Sequence, residues 1–256
     1  MRVVKVGGRA QGDARLATAL AAASRASHRT AGGLCVVHGG GDEVSALQRR
    51  LGLEPTFHGG RRVTSADDLE VVRMVLSGTT NKRLTAQLIS AGVRAVGVSG
   101  EDASLFQAHA TDAVTMGRVG GQVHVDPSLV RHLLAGGFVP VVSPLARDAD
   151  DPSGAGLNVN GDDAAAALAA ALGADELVLI ADVPGVLQHG QLIRTLDEAA
   201  ARALILSGVA AGGMAAKLEA ALTAARGGVP SVRIAGLEGI GDVTAGTRVA
   251  LHSSVS

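Results

Sequence analysis

Four charged residues sit beside glycine-rich turns or at the start of apolar helices: Lys5, Arg62, Asp162 and Lys217. Lys5 is enclosed by Val3, Val4 and Val6, and the run closes on Gly7-Gly8. Most lysines are solvated, but β-branched neighbours mark this run as a buried strand, so the charge needs a partner or must leave by the strand end. His38-Gly39-Gly40-Gly41 closes a second apolar run and leads into a helical one. Strand, glycines, helix is the layout of an anion-binding turn: glycine lets backbone N–H groups approach a ligand, and the helix start adds a positive dipole end. His38 reads as a buttress of that turn rather than a base. Arg62 follows Gly59, Gly60 and Arg61 in a loop or short hairpin over 53–63. Asp162 belongs to Leu157-Asn158-Val159-Asn160-Gly161-Asp162-Asp163, a polar loop feeding the alanine- and leucine-rich stretch 164–172. Asn and Asp are ordinary helix caps, so an N-cap is the first reading of this loop, with Asp163 in a cap or dipole role. Lys217 rides on a helix opened by Gly212-Gly213-Met214. Two lysines, an arginine and a carboxylate among glycine turns suit a polyanionic ligand.

These residues need a frame. Strands are expected at 3–6, 34–37, 93–98, 138–142, 176–180, 231–234 and 243–251. Helices are expected at 16–27, 42–51, 127–134, 164–172, 196–207 and 212–226. Thr64 or Ser65 caps another, whose period runs through Leu69, Val72, Leu76, Leu84 and Leu88 with an interruption at Gly78. Residues 105–125 read as strands and hairpins, and 144–156 as a polar loop. Strands alternating with helices give an α/β fold with a mostly parallel sheet. Ligands of such sheets collect at the carboxyl ends of the strands. The turns after Val6, Val37, Val98 and Ile180 should open on that edge.

Composition removes several functions. The 256 residues are 47% hydrophobic, enough for a full core, but only 1% aromatic, with no Tyr or Trp to stack nucleic-acid bases. A formal charge of −1 gives no electrostatic case for nucleic acid or an anionic membrane. The longest apolar run, 164–174, is too short to span a bilayer. A strand-like run directly after Met1 leaves no room for a signal peptide, so a cytoplasmic protein acting on small molecules is expected. Cys35 is a small buried residue in an apolar run. The P-loop pattern, the dinucleotide-binding glycine fingerprint and the serine-hydrolase elbow do not occur. The histidines are scattered, so a transition-metal site is not expected.

Seven motifs then come in order: Val3-Val4-Lys5-Val6-Gly7-Gly8, His38-Gly39-Gly40-Gly41, Gly60-Arg61-Arg62-Val63-Thr64, Gly78-Thr79-Thr80-Asn81-Lys82, Asn158-Val159-Asn160-Gly161-Asp162, Asp182-Val183-Pro184-Gly185-Val186 and Gly212-Gly213-Met214-Ala215-Ala216-Lys217. On these the chain resembles the amino acid kinase family, and within it the acetylglutamate kinases, over nearly its whole length. The resemblance implies a carbamate kinase-like three-layer αβα sandwich around a mostly parallel central sheet of about eight strands. It implies an N-terminal lobe, 1–160, for acetylglutamate binding and dimerisation, and a C-terminal lobe, 161–256, for ATP. The implied reaction is ATP-dependent phosphorylation of the γ-carboxylate of N-acetyl-L-glutamate in arginine biosynthesis, by a homodimer. An N-terminal helix that arginine-inhibited members carry has no counterpart before the first strand, so arginine insensitivity is expected.

The resemblance also distributes roles. Lys5 and Lys217 neutralise the transferring phosphoryl group from its two sides, and Asp162 orients both. The N–H groups of Gly8 and Gly40 donate to phosphoryl oxygens. Gly40, Gly41, Arg62, Asn158 and Asn160 bind the amino acid, with Arg62 on its α-carboxylate. The nucleotide side comprises Lys5, Gly7, Gly8, Ala181, Asp182, Val183, Pro184, Gly185, Val186, Val209, Ala210, Ala211, Gly213 and Lys217. Mg²⁺ is expected on the phosphates without direct protein ligands. Two departures stand out: Gly161, where the family more often has Ala, and Ala103, where it has Gly. Some carrier-protein-linked aminoadipate or glutamate kinases of lysine or ornithine biosynthesis share that glycine, and form the alternative; a non-catalytic amino-acid or nucleotide sensor is a second. Short loops without a basic patch disfavour the first, and the joint presence of Lys5, Asp162 and Lys217 the second.

Overall fold

In the computed structural model, residues 1–7, 9–29, 32–151 and 153–252 are described. The strands are β1 (Arg2–Val6), β2 (Leu34–His38), β3 (Phe57–His58), β4 (Arg61–Arg62), β5 (Ala95–Ser99), β6 (Phe106–Ala110), β7 (Val119–Val125), β8 (Val139–Ser143), β9 (Leu145–Asp148), β10 (Gly156–Val159), β11 (Glu176–Ile180), β12 (Leu187–Gln188), β13 (Gln191–Leu192), β14 (Thr195–Leu196), β15 (Ser231–Ala235) and β16 (Thr247–Val249). The helices are α1 (Leu16–Arg29), α2 (Gly41–Arg50), α3 (Ala66–Arg73), α4 (Asn81–Ser90), α5 (Ser128–Ala135), α6 (Gly161–Leu172), α7 (Glu198–Leu206) and α8 (Gly213–Arg226).

One sheet of eight strands runs in the order β14-β16-β15-β11-β1-β2-β8-β5. Pairing is parallel from β15 through to β5, and β16 runs against β15. Val3, Val4 and Val6 of β1 are all fully buried, as a strand covered on both faces requires. Side chains alternate along a strand. Val3 packs with the alanines of α6 and α8, while Val4 and Val6 pack with Leu16 and Leu20 of α1 and Leu84 and Leu88 of α4. Lys5, two residues from Val3, therefore faces the α6 layer. The helices on the two faces make the expected three layers. Alanine lets α6 and α8 approach closely: a side chain at Gly227 would come within 2.6 Å of Ala170 Cβ. From β1 the chain fills the β2 side of the sheet first, then returns to the β11 side. Such a reversal leaves a crevice at the carboxyl ends of the strands. Gly7, Gly39, Gly100 and Ala181 all lie on that edge.

Three expectations need correction. Gly78 does not interrupt its helix. Residues Met74–Thr80 form a π-helical stretch that joins α3 to α4 without a break. Glycine costs about 1 kcal/mol against alanine in a helix, but buried Val75, Leu76 and Thr80 hold this segment against the core. Second, 144–156 is not all loop. Leu145 and Ala146 are buried in β9, which pairs antiparallel with β10. Third, the stretch before α6 is itself strand: Leu157 and Val159 of β10 are buried while Asn158 faces the other way. β6, β7, β9 and β10 close into a small ring of strands beside the main sheet. Charged and amide residues hid the two-residue period of these short strands.

Ala103 sits at φ 50°, ψ 26°, in the left-handed region. A Cβ there costs about 1–2 kcal/mol. Ala103→Gly is expected to stabilise the chain by about 1 kcal/mol, after the extra unfolded-state freedom of glycine is subtracted; urea denaturation measures it.

Candidate active site

The alternation of β1 aims Lys5 into the layer where α6 begins. Asn160 caps α6: its Oδ1 accepts from the N–H of Asp162 at 2.8 Å and of Asp163 at 3.3 Å. That cap fixes the first turn and turns the Asp162 carboxylate inward. Lys5 Nζ lies 2.9 Å from Asp162 Oδ1. Lys217 Nζ, from the first turns of α8, donates to Oδ1 at 3.1 Å and Oδ2 at 3.0 Å. All three side chains are largely buried, so their interactions are little screened. Burial alone would raise the carboxyl pKa of Asp162; the charges and hydrogen bonds of Lys5 and Lys217 outweigh it and hold the group below its ordinary range. The trio keeps one surplus positive charge, poised for an anion.

Lys217 is pushed down to about 8, first by burial and then by the charge of Lys5, with Asp162 opposing both. The folded-state value lies below the 10.5 of a free lysine. Between about pH 8 and 10.5 the unfolded chain therefore binds a proton that the folded chain has lost, and Lys217 makes stability rise with pH in that window. If its charge is needed, turnover falls in the same window. A pH–rate profile with an alkaline limb near pH 8, absent from Lys217→Arg, is the expected result.

Two clefts flank this trio: Gly161, beside Asp162, lines one and Lys217 lines the other. The first is lined by Gly40, Gly41, Arg62, Asn158, Asn160 and Gly161, with apolar Val44, Leu76 and Val119. Arg62, on the β3–β4 hairpin, is held rigidly. Its Nη2 donates to Gly41 O at 2.8 Å and Ser45 Oγ at 2.7 Å, its Nη1 donates to Gln48 Oε1, and its guanidinium lies 4.8 Å from the Phe57 ring centre. Asn158 Nδ2 donates to Thr64 Oγ1 at 3.1 Å, which in turn donates to Arg62 O at 3.1 Å. Ser65 caps α3 in a capping box with Asp68, which steadies the far end of the hairpin. Gly161 borders Lys5: a Cβ there would stand 3.2 Å from Lys5 Cε, so glycine leaves the lysine stem its room.

The second cleft is lined by Gly7, Ala181, Asp182, Val183, Gly213 and Lys217, together with Arg9, Asp42 and Met214. Arg9 bridges to Asp182 at 2.8 Å across its mouth. Gly41 belongs to both clefts. Pro184 lines an adjoining recess. Gly185, Val186, Val209, Ala210 and Ala211 stand outside the lining. Val186 is buried and its N–H donates to Thr247 Oγ1 at 2.8 Å; Ala210 is buried in the turn between α7 and α8; Ala211 O accepts the Met214 N–H at 3.1 Å. Gly8 lies outside the described residues.

Asp163 is not the cap of α6, which is Asn160, although it stands in the first turn where a carboxylate suits the helix dipole. Its carboxylate pairs with Arg61 at 2.8 Å and ties the β3–β4 hairpin to α6. Burial raises its pKa, with Arg61 opposing. His38 is fully buried and is pushed down to about 4, chiefly by burial, so it is neutral at physiological pH. It buttresses the glycine turn, as its sequence context suggested. Asn81 and Gln11 were missed as site residues. Asn81 donates to Val141 O at 2.8 Å and Val98 O at 3.3 Å beneath the turn. It lies in a recognised motif, which was a signal; Gln11 carried none.

The sequence profile of the amino acid kinase family matches residues 1–236. An acetylglutamate kinase from Chloroflexus aurantiacus is 43% identical over 248 residues, covering 96% of this chain and 95% of that one. Among solved structures, smu.665 from Streptococcus mutans superposes with a TM-score of 0.87 at 28% identity, covering 98% of each chain. Carbamate kinase from Giardia lamblia bound to AMP-PNP gives 0.72 at 18% identity over 98% of each, a likeness of fold.

Proposed function

Because the chain belongs to the amino acid kinase family, we infer its reaction from that membership and from the two clefts that flank Lys5, Asp162 and Lys217. It phosphorylates the γ-carboxylate of N-acetyl-L-glutamate with ATP, giving N-acetyl-L-glutamyl 5-phosphate and ADP, a step of arginine biosynthesis. The observation that carries the reading is the buried lysine–aspartate–lysine bridge between a cleft with a fixed arginine and a cleft with open glycine turns.

The acceptor is already a nucleophile, so no general base is required. The obstacle is charge. One pair of like charges at 4 Å costs about 4 kcal/mol at an effective dielectric near 20. Lys5 and Lys217 offset that repulsion from the acceptor and leaving-group sides, and Asp162 keeps the two amines together. The Gly40 N–H adds a donor where charge accumulates. Arg62 and Asn158 hold the amino acid in line, Arg62 on its α-carboxylate. Residues 1–160 supply most of the acceptor cleft, and 161–256, with Gly7 and Arg9, most of the nucleotide cleft. Mg²⁺ on the nucleotide would screen its phosphates. Asp42 and Asp182, both on that cleft, fit the holding of its water shell. A cytoplasmic homodimer fits this reading; Met74 and Ile89, apolar and more than half exposed beside α3 and α4, support a contact there.

Substrate choice tests the reading. ADP release is expected with N-acetyl-L-glutamate and at most weakly with glutamate or a carrier-linked glutamyl peptide; preference for the peptide would overturn it. Arg62→Lys keeps the charge but loses the fork. It is expected to raise KM for N-acetyl-L-glutamate about tenfold or more with KM for ATP unchanged, since a hydrogen bond to a charged group is worth about 1.5–3 kcal/mol.

A further inference from the structure

We propose that Gln11 is a positioning residue of the transfer step: with His38 it clamps the Gly39–Gly40 peptide so that the Gly40 N–H faces the phosphoryl group. This rests on the reaction assigned above.

The Gly39 carbonyl oxygen receives two donors. Gln11 Nε2 lies 2.9 Å from it and His38 Nδ1 also 2.9 Å. Gln11 is 5% exposed, in the short 3₁₀ turn Arg9–Gly12 that follows β1. Gly39 O can only accept, and the Asn81 amide nitrogen 3.1 Å from His38 Nε2 cannot accept, so the ring proton of neutral His38 sits on Nδ1 and points at Gly39 O. No peptide among the described residues is cis. In a trans peptide N–H and C=O point in opposite directions. Pulling the Gly39 oxygen toward Gln11 and His38 therefore drives the Gly40 N–H the other way, toward the cleft that Gly39, Gly40 and Gly41 line.

The neighbouring peptides leave this one as the variable element. Gly39 N–H donates to Val6 O at 2.9 Å, and Gly40 O accepts from Val44 N–H at 3.0 Å. Between these anchors lie two glycines, whose backbone turns at low cost. Bulk cannot lock it: a Cβ on Gly40 would stand 2.8 Å from Leu76 Cδ2. Rotated, the peptide would present an oxygen to the phosphoryl group. The two donors hold it against that.

The test uses the full chain, after wild-type activity on N-acetyl-L-glutamate with MgATP is established. Gln11→Leu is expected to lower kcat about tenfold, less than the 100-fold or more for loss of a direct donor, with both KM values within about twofold and the thermal midpoint near wild type. Gln11→Glu supplies the readout that structure alone would not move. Its protonated carboxyl donates to Gly39 O, and its carboxylate repels it. The ratio of variant to wild-type kcat should fall as pH rises through roughly 5 to 8, the range of a partly buried carboxyl. Arg9, Asp42, Glu43 and Arg83 line the same recess and are common to both proteins, so the ratio removes their titration. Wild-type kcat in Gln11→Leu, or a pH-independent ratio in Gln11→Glu, overturns the proposal. If Gln11→Leu folds poorly, the ratio decides alone. A wild-type enzyme inactive on N-acetyl-L-glutamate would overturn the assigned reaction instead, and this inference with it.

Discussion

Asp162→Asn is expected to reduce turnover by about a thousandfold or more and to destabilise the fold by roughly 3 kcal/mol, the lower end for removing one partner of a buried pair. Asparagine fills the same space, so packing does not explain the loss. Charge does. Asp162 contacts both Lys5 and Lys217, and its removal leaves two buried ammonium groups facing each other. Asp162 is what opposes the downward push on Lys217 by burial and by Lys5. Without it the Lys217 amine is pushed further down and holds its proton less firmly. The phosphoryl group then meets a weakened donor on the leaving-group side, and no anion holds the two amines in place around it. Steady-state kinetics and a denaturation curve measure both effects. A variant with near-wild-type turnover would remove Asp162 from the centre of the site.

Lys217→Ala is expected to lower kcat about 100- to 1,000-fold, the usual loss for a donor to developing charge. KM for N-acetyl-L-glutamate should stay within about twofold. Lys217 lines the nucleotide cleft, whereas the acceptor cleft is built around Arg62 and Asn158. An interaction made only as charge moves to the leaving oxygen changes kcat, not ground-state acceptor binding. A rise in acceptor KM with kcat intact would show that its assigned role is wrong.

Much of this geometry could be read from residue order. Lys5 stood out because valines surround it, and a buried lysine needs an anion; the structure places Asp162 at 2.9 Å. The parallel strands followed from their apolar runs and spacing. What escaped was of two kinds. Short strands carrying polar residues, β9 and β10, read as loop because their pairing is set by partners distant in sequence. The π-helical stretch at Gly78 is held by tertiary contacts, which override the local cost of glycine. The roles of Asp163 and Gln11 depend on single hydrogen-bonded contacts, Asp163 with Arg61 of the hairpin and Gln11 with Gly39 O of the turn, and no spacing announces them.

If the trio moves a phosphoryl group from ATP to one carboxylate of one amino acid, an acyl phosphate forms at that carboxylate and nowhere else. Hydroxylamine trapping tests it most directly: the chain is incubated with MgATP, N-acetyl-L-glutamate and hydroxylamine, and the product is identified by mass and position. The expected product is the γ-hydroxamate of N-acetylglutamate, formed in step with ADP and lost in Asp162→Asn. ADP without hydroxamate, or hydroxamate at the α-carboxylate, would contradict it.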